Sequence, residues 1–253
     1  MIFDLSNHVA IVTGGNGGLG LAYCRGLVKA GAKVAIWGRN EGKNATAENE
    51  LRTMGGDAEA FACDVTDESA VTEAFAKTLE RFGRVDSCFA NAGGGGFRGP
   101  SHKVGRDPWL GTIDLNLMSV VQTWAPVTEY MLEHKVPGRL VVTSSIASLL
   151  GTGGSAGYTT TKAAVNGLVQ ALSVELGQAG IRVNAILPGF IETDMSLNTS
   201  KMFQDTARRR SAIGRIGELE DMEGIAVFLA SKESDFMTGQ GVVLDGGFTV
   251  FPL

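Results

Sequence analysis

A phenol and an ammonium lie four residues apart in the stretch GYTTTKAAV, where Tyr158 precedes Lys162. On a helix, positions i and i+4 share a face. A cation beside a phenol stabilises the phenolate and draws the tyrosine below its usual pKa of about 10. A phenol tuned that way can give or take a proton during a reaction. The bland alternative is an ordinary contact on a helix surface, and the pair alone does not choose. Three β-branched residues, Thr159 to Thr161, are poor helix formers. Val165, Leu168, Val169 and Leu172 nevertheless recur at helical spacing, so this helix must be held by tertiary packing. A second stretch with chemistry in it is TGGNGGLG, from Thr13 to Gly20. Glycines between a strand and a helix permit a tight turn and let backbone N–H groups approach a pyrophosphate. Gly15, Gly17 and Gly20 fit G-x-G-x-x-G, while Gly14, Gly18 and Gly20 fit T-G-x-x-x-G-x-G. Either spelling predicts a dinucleotide.

These groups need a scaffold, and the hydrophobic pattern supplies one. Short apolar runs at Val9–Thr13, Lys33–Trp37, Ala58–Cys63, Val85–Ala90, Arg139–Ser144, Arg182–Leu187 and Val242–Leu244 read as strands. Helical patterns fall between them, at 18–30, 41–54, 67–82, 107–133, 156–179 and 219–230. Strands apolar on both faces, alternating with helices, predict an α/β chain with a parallel sheet covered on both sides. At 253 residues and 44% hydrophobic, the chain reads as a single domain over 1–253. The polar stretch 192–216 reads as a mobile lid that closes over a site. A net charge of −5 argues against a nucleic-acid surface. No apolar run reaches the ~18 residues of a membrane span, and the N-terminal stretch does not read as a signal peptide. The three cysteines and three histidines are scattered without metal-ligand spacing. A cytoplasmic protein with free thiols and no metal is expected.

Thr13-Gly-x-x-x-Gly-x-Gly20, Asn91-Ala-Gly93, Tyr158-x-x-x-Lys162 and Pro188-Gly189 occur in the order and spacing of the short-chain dehydrogenase/reductase family, which the chain resembles over nearly its whole length. The resemblance is to members of the 3-oxoacyl-reductase type. It implies a Rossmann fold, doubly wound, with a seven-stranded parallel sheet and helices on both faces. It also implies a nicotinamide cofactor and hydride transfer between a carbonyl and an alcohol. Carried over by position, Ser145 would hold the substrate oxygen, Tyr158 would act as general acid/base, Lys162 would tune it and bond the nicotinamide ribose, and Asn116 would support a proton-relay water. Ser144 reads as a packing or backbone-bonding neighbour. The same resemblance places cofactor contacts at Gly14, Asn16, Gly17, Gly18, Leu19 and Gly20 in the glycine turn, at Asp64 and Val65 beside the adenine, and at Asn91, Ala92 and Gly93. Tyr158 and Lys162 would also touch the cofactor, and Pro188, Gly189, Ile191 and Thr193 would lie beside the nicotinamide.

The second apolar run ends in AIWGRN, with Gly38 where an NAD site usually has an acid. Arg39 follows, and a guanidinium matches phosphate geometry. NADP is therefore favoured, with NAD as the alternative, and Arg39 and Asn40 join the cofactor contacts. Asn40 is also the N-cap candidate of the next helix, with Glu41 in its first turn. Substrate determinants are expected in 94–109, with Phe97, Arg98, His102 and Trp109, in 146–157, with Leu149 and Leu150, and in 190–213, with Met195, Leu197, Met202 and Phe203. They suit a moderately hydrophobic ketone or aldehyde. Arg208, Arg209 and Arg210 raise the alternative of an acyl carrier-protein partner, against a plain solvated basic face. The apolar tail, with Phe248, Phe251 and Leu253, covers either its own core or a neighbouring subunit, and the resemblance implies a homotetramer. Competing readings are an NAD-linked alcohol or sugar dehydrogenase, a nucleotide-sugar epimerase and a non-catalytic NADP-binding regulator. The epimerase reading lacks its longer substrate domain and its glycine spelling. The regulator reading sits badly with a full set of Asn116, Ser145, Tyr158 and Lys162.

Overall fold

Seven parallel strands form one sheet. The computed structural model describes residues 2–193, 196 and 200–250, without the Phe203 side chain. The strands are β1 (Val9–Thr13), β2 (Lys33–Gly38), β3 (Ala58–Ala62), β4 (Ser87–Ala90), β5 (Arg139–Thr143), β6 (Arg182–Pro188) and β7 (Gly241–Leu244). Their order is β3-β2-β1-β4-β5-β6-β7. The helices are α1 (Gly18–Lys29), α2 (Glu41–Thr53), α3 (Glu68–Phe82), α4 (Arg106–Ile113), α5 (Ser119–Glu133), α6 (Ala156–Leu176), α7 (Lys201–Arg210) and α8 (Glu223–Ala230).

Alternate residues of each central strand feed opposite cores, because side chains point to opposite faces with a period of two. Ile11 of β1 joins Trp124 and Val127 of α5, Val165 of α6 and Phe75 of α3. Its neighbours Ala10 and Val12 join Tyr23 and Leu27 of α1, Leu51 of α2 and Leu229 of α8. That is why β1 and β5 are buried along their whole length and read as continuous apolar runs rather than alternating ones.

The helix expected over 107–133 is interrupted. Between α4 and α5, Asp114–Met118 form a π turn. This wider turn takes in an extra residue and directs Asn116 inward, where its amide accepts from Gly94 N–H at 2.8 Å and donates to Gly94 C=O at 2.9 Å. The sequence expectations for 156–179 and 219–230 also shorten. Three-residue and four-residue 3₁₀ turns follow α6 and precede α8. β4 begins two residues later than expected, because Asp86 accepts the Val9 N–H with its side chain where a ladder carbonyl would otherwise stand. The polar stretch 192–216 contains α7.

His8 closes the N-terminal edge of the sheet, its Nε2 2.8 Å from Ser87 Oγ. Burial pushes its pKa from 6.5 down to about 4, against the pull of Asp86, and Arg139 and Arg84 add to the fall. An unfolded chain takes up this proton near its ordinary pKa, while the folded chain resists until about 4. The stability linked to His8 is thus complete above its unfolded pKa and lost as pH falls through that window, with a slope of up to ~1.4 kcal/mol per pH unit. His8→Gln keeps a partner for Ser87 and does not titrate. Urea unfolding from pH 7 to 4 should show a shallower acid loss in the variant than in the parent. Parallel curves would remove His8 from the account.

Candidate active site

The strand order reverses between β1 and β4, and ligands of such sheets bind outside the carboxyl ends at that crevice. The glycine turn follows β1, Asn91–Gly93 follows β4, Ser145 follows β5, and Pro188 ends β6. Gly14 and Gly18 adopt left-handed backbone, with φ of 64° and 50°. A Cβ on Gly20 would stand 2.3 Å from Gly14 O and 2.6 Å from Asn91 Nδ2. These are the glycines of the T-G-x-x-x-G-x-G spelling, so the backbone chooses between the two readings. Gly15 is also crowded, by Val12 O. Gly17 is extended, with open space around it. The first turn of α1 has neither a side-chain cap nor an acid. Its free N–H groups and positive dipole end suit a pyrophosphate, so the turn fits a dinucleotide.

Asn91 ties this turn to β5 and, through Thr143, to Lys162 of α6. Its Nδ2 donates to Thr13 O, and the Asn91 and Ala92 N–H groups both reach Thr13 Oγ1 at 3.0 Å. Thr143 Oγ1 donates to Asn91 Oδ1, and Lys162 Nζ donates to Thr143 O at 2.8 Å. Lys162 lies 5.7 Å from the Tyr158 ring centroid. A Cβ on Gly93 would stand 3.0 Å from Asn116 Oδ1 and 3.5 Å from Lys162 Nζ, so these groups surround one small space. Asn116 Nδ2 also reaches Thr161 Oγ1 at 3.3 Å. Ser144 turns away and donates to Lys162 O, a backbone-bonding role.

Burial governs both ionisable groups. It pushes the Lys162 ammonium down to about 8. It pushes the Tyr158 phenol up, and a hydrogen bond with Ser145 and the charge of Arg98 offset only part of that. The phenol drawn toward neutrality by Lys162 is therefore not what the chain's own groups produce. Taking a phenolate out of water costs more than the surrounding groups return.

At the other end of the crevice, Asn40 Oδ1 accepts Lys43 N–H and caps α2. Asp64 accepts from Thr66 and stands 3.4 Å from Arg39 Nη1. Val65 is buried in the core. Asn16 Nδ2 donates to Asn44 Oδ1 behind β2. A Cβ on Gly38 would meet these two groups at 2.3 and 2.5 Å, so an acid at the end of β2 would require both amide side chains to move. Leu19 packs against the core on the α1 side. Gly189 N–H bonds Leu244 O, Ile191 is buried against Gly217, and the Thr193 methyl comes within 3.7 Å of a Cβ on Gly18.

Phe97 and Trp109 meet edge to face at 4.9 Å, and the Phe97 ring covers Gly157, where a Cβ would stand 2.6 Å from it. Leu149 and Met202 are exposed. Met195, Leu197, Phe251, Leu253 and the Phe203 side chain lie outside the described residues. On α7, Arg208 pairs with Asp205 and Arg210 stacks on Phe248. Among the described residues no cluster could hold a metal ion, and no helix is long and apolar enough to cross a membrane.

A family model described as enoyl-(acyl carrier protein) reductase matches residues 14–249. The chain is 34% identical to gluconate 5-dehydrogenase of Gluconobacter oxydans, over 98% of this chain and 97% of that one. It is 36% identical to the 3-oxoacyl-(acyl-carrier-protein) reductase of Chlamydia muridarum, over 96% and 98%. The chain belongs to the short-chain dehydrogenase/reductase family. As a short-chain dehydrogenase/reductase it is an oxidoreductase, of a family that works with a nicotinamide dinucleotide. The fold agrees. A solved 7α-hydroxysteroid dehydrogenase, complexed with NADH and 7-oxo glycochenodeoxycholic acid, superposes with a TM-score of 0.92 at 28% identity, covering 97% of this chain and 95% of that one. Within this short-chain dehydrogenase/reductase, sequence reasoning missed the electrostatic reach of Arg98 to Tyr158 and the Thr143 carbonyl that holds Lys162. The first depends on two loops meeting, and the second is a backbone atom that no residue type reports.

Proposed function

We propose that the chain is an NADP-dependent carbonyl reductase, acting reversibly on a ketone or aldehyde, with Tyr158 as general acid/base. The observation that carries this reading is the Tyr158 ring set 5.7 Å from the Nζ of the buried Lys162, one helical turn away, on the side of the sheet where Ser145 follows β5. The cofactor, held by the glycine turn, Asn91–Gly93 and the 188–193 stretch, supplies the hydride. Ser145 holds the carbonyl oxygen. Tyr158, kept protonated by burial, gives its proton to the developing alkoxide. Lys162 supplies positive charge beneath the phenolate that remains, and Asn116 holds the backbone at Gly94 and a place for a relay water.

NADP is favoured over NAD by the glycine that stands at position 38 in place of an acid and by Arg39. The Arg39 side chain is 69% exposed, and its ion pair with Asp64 is long, at 3.4 Å. An exposed pair of this kind is weak, so the guanidinium is free to take a 2′-phosphate. Parallel fluorescence titrations with NADPH and NADH test this. NADPH should bind more tightly, and Arg39→Ala should weaken NADPH about 10- to 100-fold, the worth of a charge-assisted hydrogen bond, while NADH changes little. Tighter NADH binding would sink the NADP assignment and leave an NAD-linked alcohol or sugar dehydrogenase.

The carrier-protein reading keeps some support from the Chlamydia relative, although all three arginines of α7 have partners within the chain: Asp205 for Arg208, Thr206 for Arg209 and Phe248 for Arg210. We take the chain as one catalytic domain, with 192–216 as the lid over the substrate. A homotetramer is supported by exposed apolar side chains on α5 and α6, among them Val121, Leu132 and Val174. Sedimentation as a monomer would overturn it.

A further inference from the structure

The loop after β4 folds back over the start of α6. Gly99 N–H donates to Gly154 O at 2.9 Å, and the Phe97 ring lies on Gly157. Between these two anchors, Arg98 Nη1 donates to the hydroxyl of Ser155. Ser155 is buried and occupies the N-cap position of α6, yet its side chain makes no cap. The arginine holds the hydroxyl that a helix end would ordinarily use. The guanidinium thus stands at the N-terminus of α6, three residues before Tyr158, with no acid in the first turn beside it.

Most other arginines of the chain hold a carboxylate, including Arg25, Arg52, Arg81, Arg84, Arg139 and Arg215. Among the described residues, no Asp or Glu pairs with Arg98, and its side chain remains accessible at the rim. A planar fork of N–H donors, oriented by one neutral hydroxyl and set at the positive end of a helix, matches a carboxylate. The charge of Arg98 also reaches the Tyr158 phenol. An anion held there would stand within about a Debye length, ~8–10 Å, of the reacting oxygen.

We propose that Arg98 reads a carboxylate on the substrate. The preferred substrate class is then an oxo acid in reduction, or a hydroxy acid in oxidation. Its carbonyl lies over Ser145 and Tyr158, and its carboxylate lies on the guanidinium a few carbons away. The aromatic pair Phe97–Trp109 walls the space between. This assignment rests on the reading of Tyr158 as the proton donor.

The test uses matched pairs, each an oxo acid and its primary amide, with the preferred nicotinamide cofactor. The readout is the ratio of kcat/KM for acid over amide, which cancels any effect of Arg98 on the phenol itself. The parent protein should favour the acid at least about tenfold. Arg98→Leu should lower that ratio about 10- to 100-fold, mostly through KM, the range expected for a charge-assisted pair. Arg98→Lys should restore part of it, keeping the charge without the fork. Arg98→Gln replaces the leucine variant if its thermal midpoint falls. A parent without acid preference, or a ratio unchanged in Arg98→Leu, overturns the role of Arg98. Turnover of neutral ketones alone also overturns it and leaves the carbonyl-reductase reading intact. A parent that binds the cofactor and turns over no carbonyl of either kind overturns both.

Discussion

Tyr158→Phe should bind its nicotinamide cofactor within a few-fold of the parent and turn over carbonyl substrate about 10²- to 10⁴-fold more slowly. That range is what a positioned proton donor contributes. The change removes one hydroxyl and leaves in place the ring whose centroid lies 5.7 Å from Lys162 Nζ. Fold and thermal midpoint should be unchanged. The pH dependence follows from the directions of the two shifts. Burial raises the phenol above its ordinary value of 10.0, so it remains a proton donor throughout the neutral range, and reduction should be flat there. Oxidation needs the deprotonated form and should accelerate as pH rises. Lys162 titrates at about 8, and above that pH its charge no longer favours phenolate. Stopped-flow reduction and steady-state oxidation between pH 6 and 10 would show both limbs in the parent and neither in the variant. Near-parental turnover by a well-folded Tyr158→Phe would falsify the assignment.

The second large effect lies in the glycine turn, where two substitutions of the same size should behave differently. In Gly20→Ala the new methyl would stand 2.3 Å from the Gly14 carbonyl oxygen. That neighbour is backbone and cannot swing aside, so the turn itself must move. Overpacking of this kind costs about 1–3 kcal/mol, a fall of several degrees in thermal midpoint for a chain of this size. Dinucleotide affinity should fall at least about 100-fold, because the N–H groups of α1 lose their aim. In Gly17→Ala the methyl meets nothing within 4 Å, and the extended backbone accepts alanine. Its thermal midpoint should match the parent, while cofactor binding weakens if a pyrophosphate passes over that position. Calorimetric titration and thermal unfolding of both variants separate these cases. Unaltered binding in both would mean that the turn is no dinucleotide site.

The strands were legible because burial on both faces writes itself as uninterrupted apolar sequence, as in β1 and β5. The glycine turn was legible in type and ambiguous in spelling. Only the backbone angles of Gly14 and Gly18 and the crowding at Gly20 separate one triplet from the other. The π turn was not legible, since α4 before it is only eight residues long, too short for a shift in the phase of the apolar pattern to stand out. Nor was the state of the phenol. The spacing of Tyr158 and Lys162 shows that they share a face, but the balance between burial and charge depends on what packs around both. Arg98 was visible as a residue of the substrate segment. Its place beside Tyr158 depends on contact between loops more than fifty positions apart in the chain.

The widened turn at Asp114–Met118 separates two kinds of surface within what is otherwise one rod. Each helical residue turns the chain by ~100° and advances it 1.5 Å. Deleting one residue there would restore a regular helix and swing Trp109 about a quarter-turn relative to Trp124, Val127 and Met131. The inserted residue thus works as a phase adjuster. It sets the turn that carries Trp109 in its contact with Phe97, while Trp124, Val127 and Met131 stay in the core under the sheet.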